Sequence, residues 1–192
     1  MWDVEDIQAR LAVMRAEDPE LRRSGARRHR YQLGATLSEA DLAAFECHHH
    51  ITLPDAYRSF LREVGNGGAG PHYGLFTLDG DGLRDHEREA RHRPGYLATP
   101  FPHTQAWNPA YHVPDPCVPG PVDLMTEDEY FDEREIAGSL IIAEFGCGAF
   151  HRLIITGPAR GQVWFDDRAA DGGLSSEADF ADWYQDWLHD RE

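Results

Sequence analysis

Leu53-Pro54-Asp55-Ala56-Tyr57-Arg58-Ser59-Phe60-Leu61-Arg62-Glu63-Val64-Gly65-Asn66-Gly67-Gly68-Ala69-Gly70-Pro71 runs an amphipathic helix into a glycine-dense loop. Tyr57, Phe60, Leu61 and Val64 recur at the spacing that places apolar side chains on one helical face. Pro54 suits the first helical position, where its missing N–H costs nothing, and Gly65 suits the C′ position in a left-handed conformation. Residues 73–78, Tyr-Gly-Leu-Phe-Thr-Leu, are then expected to form a strand entering the core.

Residues 65–70 spell G-x-G-x-x-G, a pattern that holds a dinucleotide when it follows a strand and opens a helix. Here the order is helix, loop, strand. The helix presents its carbonyl end to the loop, which repels phosphate, and the glycines read instead as a reversal that lets two elements approach closely.

These residues carry a resemblance. Leu53-Pro54-x-x-Tyr57-Arg58-x-Phe60-Leu61, followed by Gly65, Asn66, Gly67, Gly68, Gly70 and Tyr73-Gly74-Leu75, resembles the signature of the SUKH superfamily. Two further blocks agree: His29-Arg30-Tyr31, and Trp164-Phe165-Asp166-Asp167-Arg168 with the closing Trp183-Tyr184-x-x-Trp187-Leu188. The resemblance covers roughly residues 29–188, with a poor fit over about 98–138. It implies a non-catalytic binding domain, since the superfamily holds fungal cell-wall-assembly regulators and bacterial immunity proteins that neutralise toxins. By the same resemblance Asp166 and Asp167 stand in a W-x-D-D segment before the Gly172-Gly173 turn, where a structural role is expected.

At 192 residues, 41% hydrophobic and 11% aromatic, the chain has the composition of one globular domain. Its opening, Met1-Trp2-Asp3-Val4-Glu5-Asp6, lacks the basic-then-apolar layout of a signal peptide, so a cytoplasmic location is expected. Cys47, Cys117 and Cys147 are odd in number and form no C-x-x-C pair, which argues against a disulfide framework or a zinc cage. The formal net charge is −16, unevenly spread. Residues 1–35 hold seven Arg against six carboxylates, and residues 36–192 hold eleven Arg against 28 carboxylates. Such a body repels nucleic acid and anionic membranes; it either steers a basic protein toward itself or only keeps a small protein soluble.

Ile7, Leu11 and Met14 mark a first helix ending near Glu17. The Arg-rich stretch from Arg22 to Arg30 has no interleaved aromatics and reads as a solvated link to the acidic body. Residues 1–28 are thus an N-terminal helix and link, and 29–192 the main domain. Ser38 with Asp41 predicts a capping box on a second helix, which ends at His48-His49-His50. Three consecutive helical side chains point about 100° apart and cannot converge on a metal. His86-Glu87 begins like H-E-x-x-H, but position 90 is Ala, so that zinc pattern fails too. Asp81, Asp85, Glu87 and Glu89 interleave with arginines and read as an exposed helix or loop. Seven prolines between residues 96 and 121 predict an irregular insertion, around 96–138, lying over the core and anchored by Phe101, Trp107 and Tyr111.

The densest acidic run is residues 127–135, from which Glu127, Asp128, Asp132 and Glu133 are the candidate partner-binding residues. Residues 139–145, 150–156 and 162–165 read as strands joined by short turns, hence antiparallel neighbours. Ser176 with Asp179 predicts the cap of a last helix, whose Phe180, Trp183, Tyr184, Trp187 and Leu188 form a core stripe. Asp179, Asp182, Asp186 and Asp190 fall on an adjoining stripe that a partner could reach.

None of the six serines lies in G-x-S-x-G and no cysteine has a protease context, so no catalytic residue, cofactor or metal is expected. The fold class is α+β: one domain with N-terminal helices, a central antiparallel or mixed sheet and a C-terminal amphipathic helix. The resemblance implies an immunity protein that binds a cognate toxin domain stoichiometrically, and the acidic body points to a basic target such as a nuclease. A regulatory scaffold of the cell-wall-assembly type, or a small-ligand or enzymatic module, are the other classes.

Overall fold

A computed structural model describes residues 2–81, 83, 91–113, 117 and 124–189. The chain is a single α+β domain. Helices α1 (Val4–Glu17), α2 (Ala26–His29), α3 (Glu39–His49) and α4 (Asp55–Glu63) precede the sheets, α5 (Glu127–Tyr130) lies between the two sheets in chain order, and α6 (Phe180–His189) closes the described chain. Strands β1 (Tyr111–His112) and β2 (Met125–Thr126) make a two-residue parallel pair. The main sheet, β3 (Ser139–Gly146), β4 (Ala149–Ile154), β5 (Gln162–Asp166) and β6 (Leu174–Asp179), is antiparallel throughout, with strands in chain order.

Both faces of this sheet are covered, which explains why β3 opens as an apolar run and β4 is buried along its whole length rather than at alternate residues. Leu140, Ile142, Leu153 and Val163 join the helices in the main core. On the other face, Ile154, Trp164 and Leu174 pack against Phe101 and Trp107 of the irregular segment. Phe101 and Trp107 thus cover that face of the sheet. The segment's prolines at 114, 116, 119 and 121 lie outside the described residues.

Asp3 caps α1, and Ser38 and Asp41 form the reciprocal capping box of α3. Pro54 sits just before the first helical residue of α4, at the N-cap. In α4, Tyr57, Phe60 and Leu61 are buried against Phe180 and Tyr184 of α6, with Trp2 placed edge-on to Phe60 at 5.1 Å. Arg58 reaches back to Glu46 of α3, whose carboxylate also accepts the Leu53 N–H at 2.9 Å.

The glycine loop departs from expectation in an instructive way. Gly65 is not left-handed; the positive φ angles belong to Gly67 and Gly68, at 80° and 98°. Gly65 is needed for close approach, because a Cβ there would stand 2.8 Å from the Gly34 carbonyl oxygen. The loop's amides are consumed by the protein: Asn66 donates to Ala35, Gly68 to Leu75 and Ala69 to Gln32. Donors so engaged cannot cradle a phosphate.

Residues 73–78 do not become a regular strand. Leu75 bridges Gly68 on one side and Ala143 of β3 on the other, and Phe76 donates to Ile142 at 2.8 Å, so the segment covers the β3 edge through isolated bridges. Gly74, at φ 87° and tight against the Gly68 carbonyl, interrupts the ladder. The sheet gains protection of an edge without a fifth strand.

Four other expectations need correction. Ser176 lies in β6, paired with Trp164, and α6 begins only at Phe180, because the strand uses the residues that a cap would need. Trp187 is half-buried, whereas Phe180, Trp183, Tyr184 and Leu188 are buried. The Arg-rich link is not wholly solvated: Ala26 and His29 of α2 are buried, and burial pushes the His29 imidazole down to about 4. His29 accepts the Tyr31 N–H at 3.0 Å, and the Tyr31 hydroxyl donates to Asp18 at 2.8 Å. Arg91, from the segment read as exposed, is also buried and donates to the carbonyls of Thr77, Leu78 and Ile141. Among its neighbours in the sequence, Asp85, Glu87 and Glu89 lie outside the described residues.

Candidate partner-binding face

A carboxylate buried in β5 underlies a surface of stacked aromatic side chains. Alternation along β5 puts Asp166 on the same face as Trp164, and it is 5% exposed. A buried charge needs partners. Arg152 of β4 supplies one, its Nε donating at 2.6 Å, and Arg168 supplies the other, with Nε and Nη2 donating at 2.9 and 3.0 Å. Burial alone would raise the Asp166 pKa, but the two guanidiniums outweigh it and hold the carboxyl at about 2.

Arg168 carries this network outward. Its Nη1 donates to the Tyr130 carbonyl at 3.3 Å, and its guanidinium stands 5.9 Å from the centre of the Phe131 ring. Above it, Trp107 stacks on Tyr130 at 5.2 Å and Tyr111 stacks on Tyr130 at 4.4 Å. The Tyr130 hydroxyl donates to Asn108 at 2.9 Å, the Asn108 amide donates to the Asp171 carbonyl, and the Tyr111 hydroxyl donates to the Asp171 carboxylate at 2.6 Å. That last bond pushes the Tyr111 phenol up to about 12.

Asp167 acts through its backbone. Its carbonyl accepts from Ala170 and Gly172 and its N–H donates to Gly173, closing the turn that returns the chain to β6. Gly173, at φ 71°, lies so near the Trp107 carbonyl that a Cβ would sit 2.3 Å from it. Trp107 and Leu174 exchange two hydrogen bonds of 2.8 Å there.

The acidic run is displayed on this support, and its four candidate carboxylates divide into two pairs. Asp132 caps the following 3-10 turn and binds Arg134, which holds its carboxyl at about 2. Glu133 binds Arg93. Glu127 and Asp128 form no ion pair among the described residues, and Asp128 is exposed. Glu129, between them and Tyr130, is spent on the capping box with Thr126.

Apolar surface accompanies these charges. Six large hydrophobic side chains are exposed among the described residues, and three of them, Val113, Leu124 and Phe131, flank this run. The parallel pairing of Tyr111 with Met125 and His112 with Thr126 sets Val113 beside the start of α5. Sequence reading found the carboxylates and the D-D pair but missed Arg152, Arg168, Asn108, Asp171 and Phe131.

The model of the SMI1 / KNR4 family (SUKH-1) matches residues 36–186. The chain belongs to the SMI1 / KNR4 family. Comparison with curated proteins and with solved structures finds no match. Within this family member the helix–glycine loop and the β5 segment lie inside the matched span. Residues His29 and Tyr31, which pin the N-terminal link, precede it. No described helix is long and apolar enough to cross a membrane.

Proposed function

We propose that this chain is a cytoplasmic immunity protein that neutralises a toxin domain by stoichiometric binding, with no catalytic step of its own. The observation that carries the reading is the pairing of unneutralised acids, Glu127 and Asp128, with the exposed Phe131 on a rigid stack of Trp107, Tyr130 and Tyr111. Stable interfaces combine an aromatic anchor with a charged rim. A basic substrate groove, as in a nuclease, is the complementary surface: the carboxylates take the place of substrate phosphates against its arginines and lysines. The family also includes regulators of cell-wall assembly, and an acidic docking face serves either role. The toxin reading is favoured by the strongly acidic body, because a substrate-mimicking inhibitor needs its charge where the enzyme expects phosphate.

The test is association with the product of the neighbouring reading frame at two salt concentrations. The association rate is expected to fall as the Debye length shrinks from about 30 Å at 0.01 M to about 8 Å at 0.15 M. Neutralising Glu127 and Asp128 together is expected to slow association more than neutralising Asp132 and Glu133, whose charges Arg134 and Arg93 already offset. Phe131→Ala is expected to act on dissociation, speeding it about tenfold or more. Equal rates for the parent and both double variants would remove this face from the interface.

A further inference from the structure

A second site lies apart from the acidic run, in a cleft of about 520 Å³. Trp183 and Trp187 of α6, Met14 of α1 and the stacked imidazoles of His72 and His151 line it, together with Glu177 of β6. The His72 and His151 rings are parallel to within 2° at 5.1 Å. One oxygen of Glu177 lies 2.7 Å from His151 Nδ1, and no hydrogen bond reaches the other oxygen among the described residues. The Glu177 side chain is about one-third exposed, so that second oxygen belongs to a carboxylate open to solvent in part.

Three features select the occupant. The walls are π-faces, which attract cations and stack on planar groups. The carboxylate adds a negative charge and an unused acceptor. Arg23 lines the cleft too, but its guanidinium is bound to Glu17 at 3.3 Å, and its backbone N–H donates to Asp18. Burial lowers the pKa of His72, and His29, edge-on to Trp187, is neutral at pH 7 for the same reason, so neither adds an opposing charge. A lysine ammonium could pair with the carboxylate but would use the indole faces poorly; a guanidinium does both.

We infer that this cleft, formed by Trp183, Trp187, His72 and Glu177, is a receptor for the arginine side chain of a protein partner. It requires no contribution from the acidic run, so either surface can fail without the other. Arginine stacks on the half-buried Trp187 indole, with Trp183 forming the floor, and donates to the second Glu177 oxygen, so the cleft acts as a specificity pocket separate from the acidic run.

The probe is N-acetyl-arginine amide, titrated into the full chain while the indole N–H resonances of Trp183 and Trp187 are followed. Saturable shifts of these two indoles are expected, with a Kd on the order of 1–10 mM for so small a ligand. The citrulline analogue, planar but neutral, and the lysine analogue are expected to bind at least about fivefold more weakly. Glu177→Gln, which keeps an acceptor for His151, is expected to weaken arginine binding about tenfold while leaving the rest of the spectrum unchanged. Absence of saturation for the arginine probe, or equal binding of citrulline, would overturn the assignment. Unchanged affinity in Glu177→Gln would overturn the role of the carboxylate.

Discussion

Asp166→Ala is expected to destabilise the fold by about 3–5 kcal/mol, because removing one partner of a buried charge network strands the others. Arg152 and Arg168 are both about as buried as the carboxylate they share, and each would keep its charge in an apolar setting. Asp167→Ala is the control in the adjacent position. Its carboxylate makes no hydrogen bond among the described residues and the turn uses its backbone, so the expected cost is below about 1 kcal/mol. Denaturant midpoints for the two variants decide this, and similar values would show that the triad does not hold the fold. The same group sets an acid limit. Its folded pKa, at about 2, lies below the unfolded value of about 3.9, so its contribution is complete above pH 4 and is lost as pH falls toward 2. The amount at stake is on the order of 2 kcal/mol, and the steep part of an acid titration of stability should flatten in Asp166→Asn. Because Arg168 also holds the Tyr130 carbonyl, the variant should loosen the acidic turn and raise the partner's dissociation rate as well.

Trp183→Ala is expected to cost about 3–5 kcal/mol, since its indole is 7% exposed and packs among Phe180, His151 and the rest of the α6 stripe. Trp187→Ala should cost less, about 1–2 kcal/mol, because half-burial leaves less area to lose. Equal midpoints for these two variants would mean that the α6 stripe is more uniformly buried than its packing indicates. A parent-like midpoint for Trp183→Ala would turn the whole face into a candidate interface.

Local signals were legible wherever one element satisfies itself. Ser38 and Asp41 bond each other across a single turn, so their pairing is visible in four consecutive letters. The stripe of Phe180, Trp183, Tyr184 and Leu188 follows from helical periodicity, and the turns at residues 146–148 and 157–161 from their glycines. Ser176 shows the limit of such reading. Its spacing to Asp179 is that of a cap, but β5 offers hydrogen bonds to the same residues, and sheet pairing took them.

The amino-acid sequence by itself determined the α+β class, the antiparallel order of the late strands, the family and the acidic character of the body. Each of these depends on periodicity, turn chemistry or composition, which are properties of neighbours along the chain. Only the tertiary structure decided which charges are available and which are spent. Glu127, Asp128, Asp132 and Glu133 are alike as letters, yet Arg93 reaches Glu133 from 40 residues away. Asp166 and Asp167 are adjacent and acidic, yet one is a buried hub and the other a turn. Gly65 and Gly67 look equivalent, but the first serves close packing against Gly34 and the second a left-handed backbone. Electrostatic and steric partners of this kind come from long-range closure of the chain, so their identity appears only once the sheet has brought them together.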